Sequence, residues 1–310
     1  MNRNKATIVA TSEGKTFGVA ITVVAAEPSD YDLVYRQRNE RGIMEILALP
    51  LGTNDAPAPI YAANGSNHPS SSPDGKHIAF AISLFDGLDH PTGDIYTVDR
   101  NGANLRQLTT APGVNDQPAW SPTGGRIAYR HVEPGGRTDI WVMNSDGSNR
   151  LNLTGDLQMT GEQSAPAWSA DGSRIAFVSQ QSGPTETTSS IWVMRADGSD
   201  KRMLTSSVTG FDASPTWSPD GQRIAFIRQY EFDSDITFVN ATGGATVRLA
   251  LPGRQFTPAW SPGGEWIAFA QLEIGFMNLY TVRPNGTDVR LRTFDPTWGG
   301  GLEPAWSRKP

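Results

Sequence analysis

Short apolar triplets recur along the chain at Ile78-Ala-Phe80, Ile127-Ala-Tyr129, Ile175-Ala-Phe177, Ile224-Ala-Phe226 and Ile267-Ala-Phe269. Each is an unbroken apolar run a few residues after a turn signal, which predicts a strand covered on both faces. A second strand pattern follows every triplet: Asp94-Ile-Tyr-Thr-Val98, Asp139-Ile-Trp-Val142, Ser190-Ile-Trp-Val193, Asp235-Ile-Thr-Phe-Val239 and Asn278-Leu-Tyr-Thr-Val282. These end at Asn101-Gly, Asp146-Gly, Asp197-Gly, Gly243-Gly and Asn285-Gly. Such dipeptides suit two-residue hairpins, because both central residues tolerate positive φ. Short strands at Leu108-Thr, Leu153-Thr, Leu204-Thr, Leu249-Ala and Leu291-Arg-Thr then complete each unit. Helical periodicity is absent, so the chain is expected to be all-β.

The strand ahead of each triplet carries the most regular signal. It reads His68-Pro-Ser-Ser-Ser-Pro-Asp-Gly75, Gln117-Pro-Ala-Trp-Ser-Pro-Thr-Gly124, Ala165-Pro-Ala-Trp-Ser-Ala-Asp-Gly172, Ser214-Pro-Thr-Trp-Ser-Pro-Asp-Gly221 and Thr257-Pro-Ala-Trp-Ser-Pro-Gly-Gly264, then the fragment Glu303-Pro-Ala-Trp-Ser307. The first prolines stand at 69, 118, 166, 215, 258 and 304, in steps of 49, 48, 49, 43 and 46 residues. A four-stranded antiparallel unit repeated at this period predicts a β-propeller. Ser-Pro-Asp-Gly matches a type I turn closed by a left-handed glycine. Proline is tolerated at the first residue of a strand, where no ladder donor is needed. Trp120, Trp168, Trp217, Trp260 and Trp306 are expected to pack between neighbouring blades.

The last copy supplies only a first strand. Its missing partners are found near the other end: Asp32-Leu-Val-Tyr35, Glu45-Ile-Leu-Ala-Leu49 and Pro59-Ile-Tyr-Ala62, with a loop at Asn39 to Gly42. The expectation is therefore six blades, the ring closed by the C-terminal strand joining the N-terminal strands. The propeller then spans 31–310, behind an N-terminal extension or export signal at 1–30. Arg3, Lys5, the apolar Phe17 to Val24 and the small residues Val24-Ala-Ala26 suit a signal, whereas Glu13 and the threonines suit a strand-like extension.

The string Pro-x-Trp-Ser-Pro-Asp-Gly-x-x-Ile-Ala-Phe, with its Asp-Ile-Tyr/Trp-Val, Asp/Asn-Gly and Leu-Thr successors, resembles the TolB-type propeller repeat over about 31–308. The Trp-Asp dipeptide of WD repeats does not occur, and sialidase Asp boxes have a different spacing. The resemblance implies a WD40-like repeat propeller that holds protein partners in the cell envelope. Similar blades belong to prolyl-oligopeptidase and dipeptidyl-peptidase enzymes and to oligogalacturonate lyases. The separate α/β domain of TolB and the catalytic domain of the peptidases find no counterpart, so a bare propeller is expected.

Composition narrows the partners. A net charge of −6 disfavours a nucleic-acid backbone, and zero cysteines remove disulfides and thiolate chemistry. No apolar run approaches the roughly eighteen residues of a membrane-spanning helix. His68, His77, His90 and His131 form no ligand-like spacing, and no nucleophile elbow, P-loop or dinucleotide fingerprint is present. Catalytic and cofactor-binding residues are thus expected to be none, although the enzyme question stays open.

Residues before each innermost strand should surround one mouth of the channel: Asn67, His68, Asp116, Gln117, Glu162, Gln163, Asp212, Arg254, Gln255 and Glu303. Asp116, Glu162, Asp212 and Glu303 are candidates to hold a Ca²⁺-like ion or to accept a basic peptide segment, since converging carboxylates raise one another's pKa unless a cation or a basic group neutralises them. The alternative is that they are solvated loop carboxylates. His68, Gln117, Gln163, Arg254 and Trp298 are candidate partner contacts. Aromatic loops at Leu84 to Pro91, Gln229-Tyr-Glu-Phe232 and Phe294 to Trp298 suit partner contacts or sugar stacking. The expected function is a monomeric, non-catalytic scaffold for a protein or peptide in the periplasm. A carbohydrate-binding or lyase-like propeller and a cytoplasmic location are the alternatives.

Overall fold

The computed structural model describes residues 5–12, 15–22, 30–53, 55–85, 91–110, 112–156, 161–182, 187–206, 210–231, 233–273, 275–294 and 301–309. Among them every regular element is a strand, and no helix is long and apolar enough to cross a membrane. Each complete copy folds into an antiparallel meander. In the second copy Val114–Trp120, Arg126–Val132, Thr138–Asn144 and Leu151–Asn152 pair in that order. The first and second copies share one sheet through a single parallel contact, Val114 with Gly93. The third and fourth are joined likewise by Ser189 with Phe211. The C-terminal strand Leu302–Arg308 pairs antiparallel with Tyr31–Arg38, which continues to Met44–Pro50 and Ala58–Ala62. Near the N-terminus Lys5–Ser12 and Lys15–Thr22 pair as an antiparallel hairpin.

The apolar triplet has a double use. In the second copy Ile127 and Tyr129 pack into a cluster with Ala79, Ile95 and Leu108 of the first copy. Ala128, between them in sequence, faces the other way and joins Ile175 and Phe177 of the third copy. Large side chains thus bury against the preceding copy, while the small alanine makes room for the following one. Each large side chain contributes roughly 1.5–3 kcal/mol of burial. The same arrangement links Val34 and Ile46 with Ile78 and Phe80, and Leu33 and Tyr35 with Ala268 and Leu279.

Serine explains the turn between first and second strands. Ser169 Oγ accepts from Arg174 N at 2.9 Å and donates to Asp171 Oδ1 at 2.6 Å, while Asp171 also accepts from Ser173 N. Ser72 and Ser218 repeat both bonds, and Gly75, Gly124, Gly172, Gly221 and Gly264 all hold φ between +68° and +77°. These bonds, the Ser169 hydroxyl first, hold the Asp171 carboxyl down at about 2.

The second turn departs from the two-residue hairpin expected from Asn-Gly and Asp-Gly. Gly102 N donates to Asp99 O, and positive φ falls on Gly102 but not on Asn101. The unit is a type I turn whose glycine closes it, as in the first turn. The Asx side chain instead bonds two residues onward, as Asp146 Oδ1 does with Ser148 N at 2.9 Å.

Tryptophans join the copies. Trp168 Nε1 donates to Ala119 O, Trp217 Nε1 to Ala167 O and Trp306 Nε1 to Ala259 O, each in the preceding copy. Trp120 Nε1 instead bonds Gly124 O in its own turn.

Candidate functional site

The residue before the first proline of every copy lies in the left-handed region. φ is +50° at His68, +52° at Gln117, +50° at Ala165, +49° at Ser214, +44° at Thr257 and +54° at Glu303. Left-handed backbone costs an ordinary L-residue about 1–2 kcal/mol, and it is especially adverse to β-branched Thr257. Pairing shows why the chain bends there. Each first strand shifts register at this point, between Asp116 and Ala119, Ser164 and Ala167, Ala213 and Thr216, and their equivalents. The proline inside the bulge has no N–H to leave unpaired.

Six bulges therefore carry six side chains to one place. His68, Gln117, Ala165, Ser214, Thr257 and Glu303, with the prolines that follow them, line a cavity of about 210 Å³. Beyond those prolines a second cavity of about 540 Å³ is walled by Trp120, Trp168, Trp217, Trp260 and Trp306, with Pro73, Pro122, Pro219 and Pro262 farther out. Pro69, Pro118, Pro166 and Pro304 border both, so the two cavities adjoin across a wall of proline.

Three of the expected site residues meet at the smaller cavity: His68, Gln117 and Glu303. Glu303 Oε2 accepts from His68 N at 2.7 Å and lies 2.9 Å from Arg36 Nε; Glu303 Oε1 lies 3.3 Å from His68 Nε2. His68 Nδ1 is 2.7 Å from Asn67 Oδ1. Gln117 Oε1 accepts from Ala165 N at 2.7 Å.

Other expected residues stand apart from it. Asp212 is fully buried, bidentate to Arg228 at 2.7 and 2.8 Å, and accepts from Thr205 Oγ1. Asp116 is held by Arg130 in the same manner. These acids thus face arginines of their own copies instead of converging. Glu162 is exposed at the start of its strand. Gln163 is buried, its amide donating to Gly161 O at 2.9 Å, and Arg254 lies over the Phe256 ring. Among the described residues no three His, Asp or Glu gather in a set that could hold a metal ion. As placed, the four acids do not fit a Ca²⁺-like ion, because three are already ion-paired.

The remaining histidines have local partners. His131 Nδ1 lies 2.8 Å from Asn115 Oδ1, and burial lowers the pKa of its imidazole. His77 pairs with Asp99 and stacks on Trp120. Of the aromatic loops, Phe294 is 72% exposed and Tyr230 lies beneath the Arg248 guanidinium. His90, Phe232 and Trp298 lie outside the described residues.

Ala165, Ser214 and Thr257 were missed as site residues by sequence reasoning, which looked for charge. The available signal was variation: six different residues occupy the one position that precedes a constant proline.

Comparisons with known proteins agree with this architecture. The model of the TolB beta propeller domain family matches residues 40–250 and 154–294. Among solved structures the chain is similar to TolB from Acinetobacter baumannii, with a TM-score of 0.73 and 22% identity over 91% of this chain and 68% of that one. It is similar to a protein assigned as TolB in Agrobacterium tumefaciens, with a TM-score of 0.67 and 18% identity over 91% and 99% of the two chains. An oligogalacturonate lyase from Vibrio parahaemolyticus matches with a TM-score of 0.56 and 12% identity over 93% and 84%. At these identities the structural likeness concerns the fold.

Proposed function

The chain belongs to the TolB beta propeller domain family, and on that premise we propose that it is a non-catalytic protein-binding scaffold of the bacterial cell envelope. In this reading residues 31–310 form a closed ring of six blades, residues 1–30 stand outside it, and the protein works in the periplasm as a monomer. Closure is supported by the pairing of Leu302–Arg308 with Tyr31–Arg38 and by the Glu303 to His68 bond between last and first copies. It is supported also by hydrophobic clusters that each join two neighbouring copies. A chain ending at Gly301 would lose that strand pairing, the Glu303 bond and the packing of Leu302 and Trp306, and should melt at a markedly lower temperature. Unchanged melting would overturn the ring.

One observation carries the binding reading. The chain tolerates backbone strain at six equivalent positions to present six different side chains around one cavity, on a scaffold whose prolines do not vary. Strain of this kind concentrates where structure is held for a ligand. A constant frame with variable residues at its mouth suits a docking point for a protein segment. Envelope extract passed over the immobilised chain should yield a partner that Ser214→Trp, which fills the cavity, fails to capture. Equal capture by both would place the docking surface elsewhere.

A further inference from the structure

The six equivalent backbone amides share one conformation but not one partner. His68 N donates to Glu303 Oε2 and Ala165 N donates to Gln117 Oε1, both at 2.7 Å. In each case the acceptor is a long side chain on the equivalent position of the adjoining copy. Ser214 and Thr257 have nearly the same φ as Ala165, +49° and +44° against +50°, and the same register shift. Their amides are therefore carried in the same direction. The adjoining equivalents of these two are Ala165 and Ser214, which are too short to return an oxygen. Among the described residues no side-chain oxygen caps either amide in the way that Glu303 and Gln117 cap theirs. Thr257 Oγ1 is buried beside them with no hydrogen-bond partner.

Resting on the reading of this cavity as the docking point, we propose that its Ser214–Thr257 side is a carboxylate-recognition site for the C-terminal carboxylate or an acidic side chain of the partner. Convergent backbone N–H groups make a concavity that favours anions, and a bond from N–H to a carboxylate is roughly twice as strong as one between neutral groups. The chain itself supplies the precedent, since the Glu303 carboxylate occupies one such amide. Its own charge is balanced by Arg36 at 2.9 Å. The cavity, about 210 Å³, has the liquid volume of about seven waters, enough for a carboxylate and the atoms behind it.

The test follows the Ser214 and Thr257 amide resonances of the ¹⁵N-labelled full chain during titration with three probes. N-acetylglycine offers a terminal carboxylate, N-acetylaspartate amidated at its α-carboxyl offers a side-chain carboxylate, and N-acetylglycinamide is neutral. One or both carboxylates should shift the two resonances, which tells the two sources apart, while the neutral probe leaves them in place. Ala165→Gln puts at 165 the side chain that caps the next amide from 117, and should weaken carboxylate binding about tenfold or more. The proposal falls if the neutral probe acts as strongly as the acids or if no acid shifts these amides. It falls also if a natively folded Ala165→Gln binds unchanged. Should that variant misfold, the three-probe comparison on the unmodified chain decides alone. Probe binding without capture of any envelope protein would sink the scaffold reading and leave this site standing; capture without probe binding would do the reverse.

Discussion

Thr154→Val is the most direct test of how each sheet is held together internally. Thr154 is fully buried, accepts from Ile140 N at 2.9 Å and donates to Asp139 Oδ1 at 3.2 Å. The same latch recurs: Thr109 receives Ile95 N and bonds Asp94, Thr205 receives Ile191 N, and Thr293 receives Leu279 N. Valine has nearly the same shape, so no cavity opens and the hydroxyl alone is removed. The Ile140 N–H then has no acceptor, a buried loss of about 1–3 kcal/mol. Asp139 keeps Asn152 Nδ2 at 3.0 Å and Arg137 Nε at 2.9 Å, so its share of the loss is small. Added apolar burial returns somewhat less than about 1 kcal/mol.

The net expectation is a destabilisation of about 1–2 kcal/mol, or a fall in Tm of about 2–3 °C for a domain of this size. Thr154→Ser retains the hydroxyl and should lose only about 1 kcal/mol for the missing methyl. Urea denaturation monitored by tryptophan fluorescence and scanning calorimetry report both values. The latch is refuted if valine is tolerated as well as threonine, or if serine is as damaging as valine. The fourth copy is a natural contrast, with Ala250 in place of threonine. There both Asp235 oxygens are without hydrogen bonds and the carboxyl depends on its ion pair with Arg248. Burial raises its pKa, which Arg248 partly opposes.

Three other outcomes are expected. Asp171 has a folded pKa of about 2, below that of the unfolded chain, so its stabilisation is complete above about pH 4 and fades as pH falls through 2. Asp171→Asn should accordingly lower Tm at pH 7 and converge with the unmodified protein near pH 2; a constant difference across that range would exclude the carboxylate as the cause. Arg228→Met leaves the fully buried Asp212 without its bidentate partner and should cost about 3–5 kcal/mol in urea denaturation, whereas the added substitution Asp212→Leu should recover most of it. Gly75→Ala places a Cβ 1.9 Å from Arg308 O, but Gly221→Ala meets no atom within 4 Å and carries only the strain of φ +68°. The first should therefore melt far below the second, which should lose about 1–2 kcal/mol.

Periodicity made the sheets legible because each copy repeats the same local chemistry. Ile127, Ala128 and Tyr129 announce a strand buried on both faces, and Ser169, Asp171 and Gly172 announce their turn, all from neighbours within a few residues. Long-range pairing was readable only at Glu303 to Ser307, where an interrupted copy demanded partners elsewhere. The site resisted for the opposite reason. Asp116 and Asp212 look like mouth acids in sequence, but Arg130 and Arg228 stand one and two strand positions beyond their apolar triplets and claim them across the hairpin. Nothing in the spacing of an Asp and an Arg on separate strands distinguishes an ion pair from two free groups. Left-handed backbone at His68, Gln117, Ala165, Ser214, Thr257 and Glu303 was hidden more deeply, since none is Gly or Asn. Local preference opposes that conformation, so only the surrounding bulge and sheet can impose it. That tertiary structure overrides preference at this position six times, and never with the glycine that would relieve the strain, is what the proposed docking point rests on.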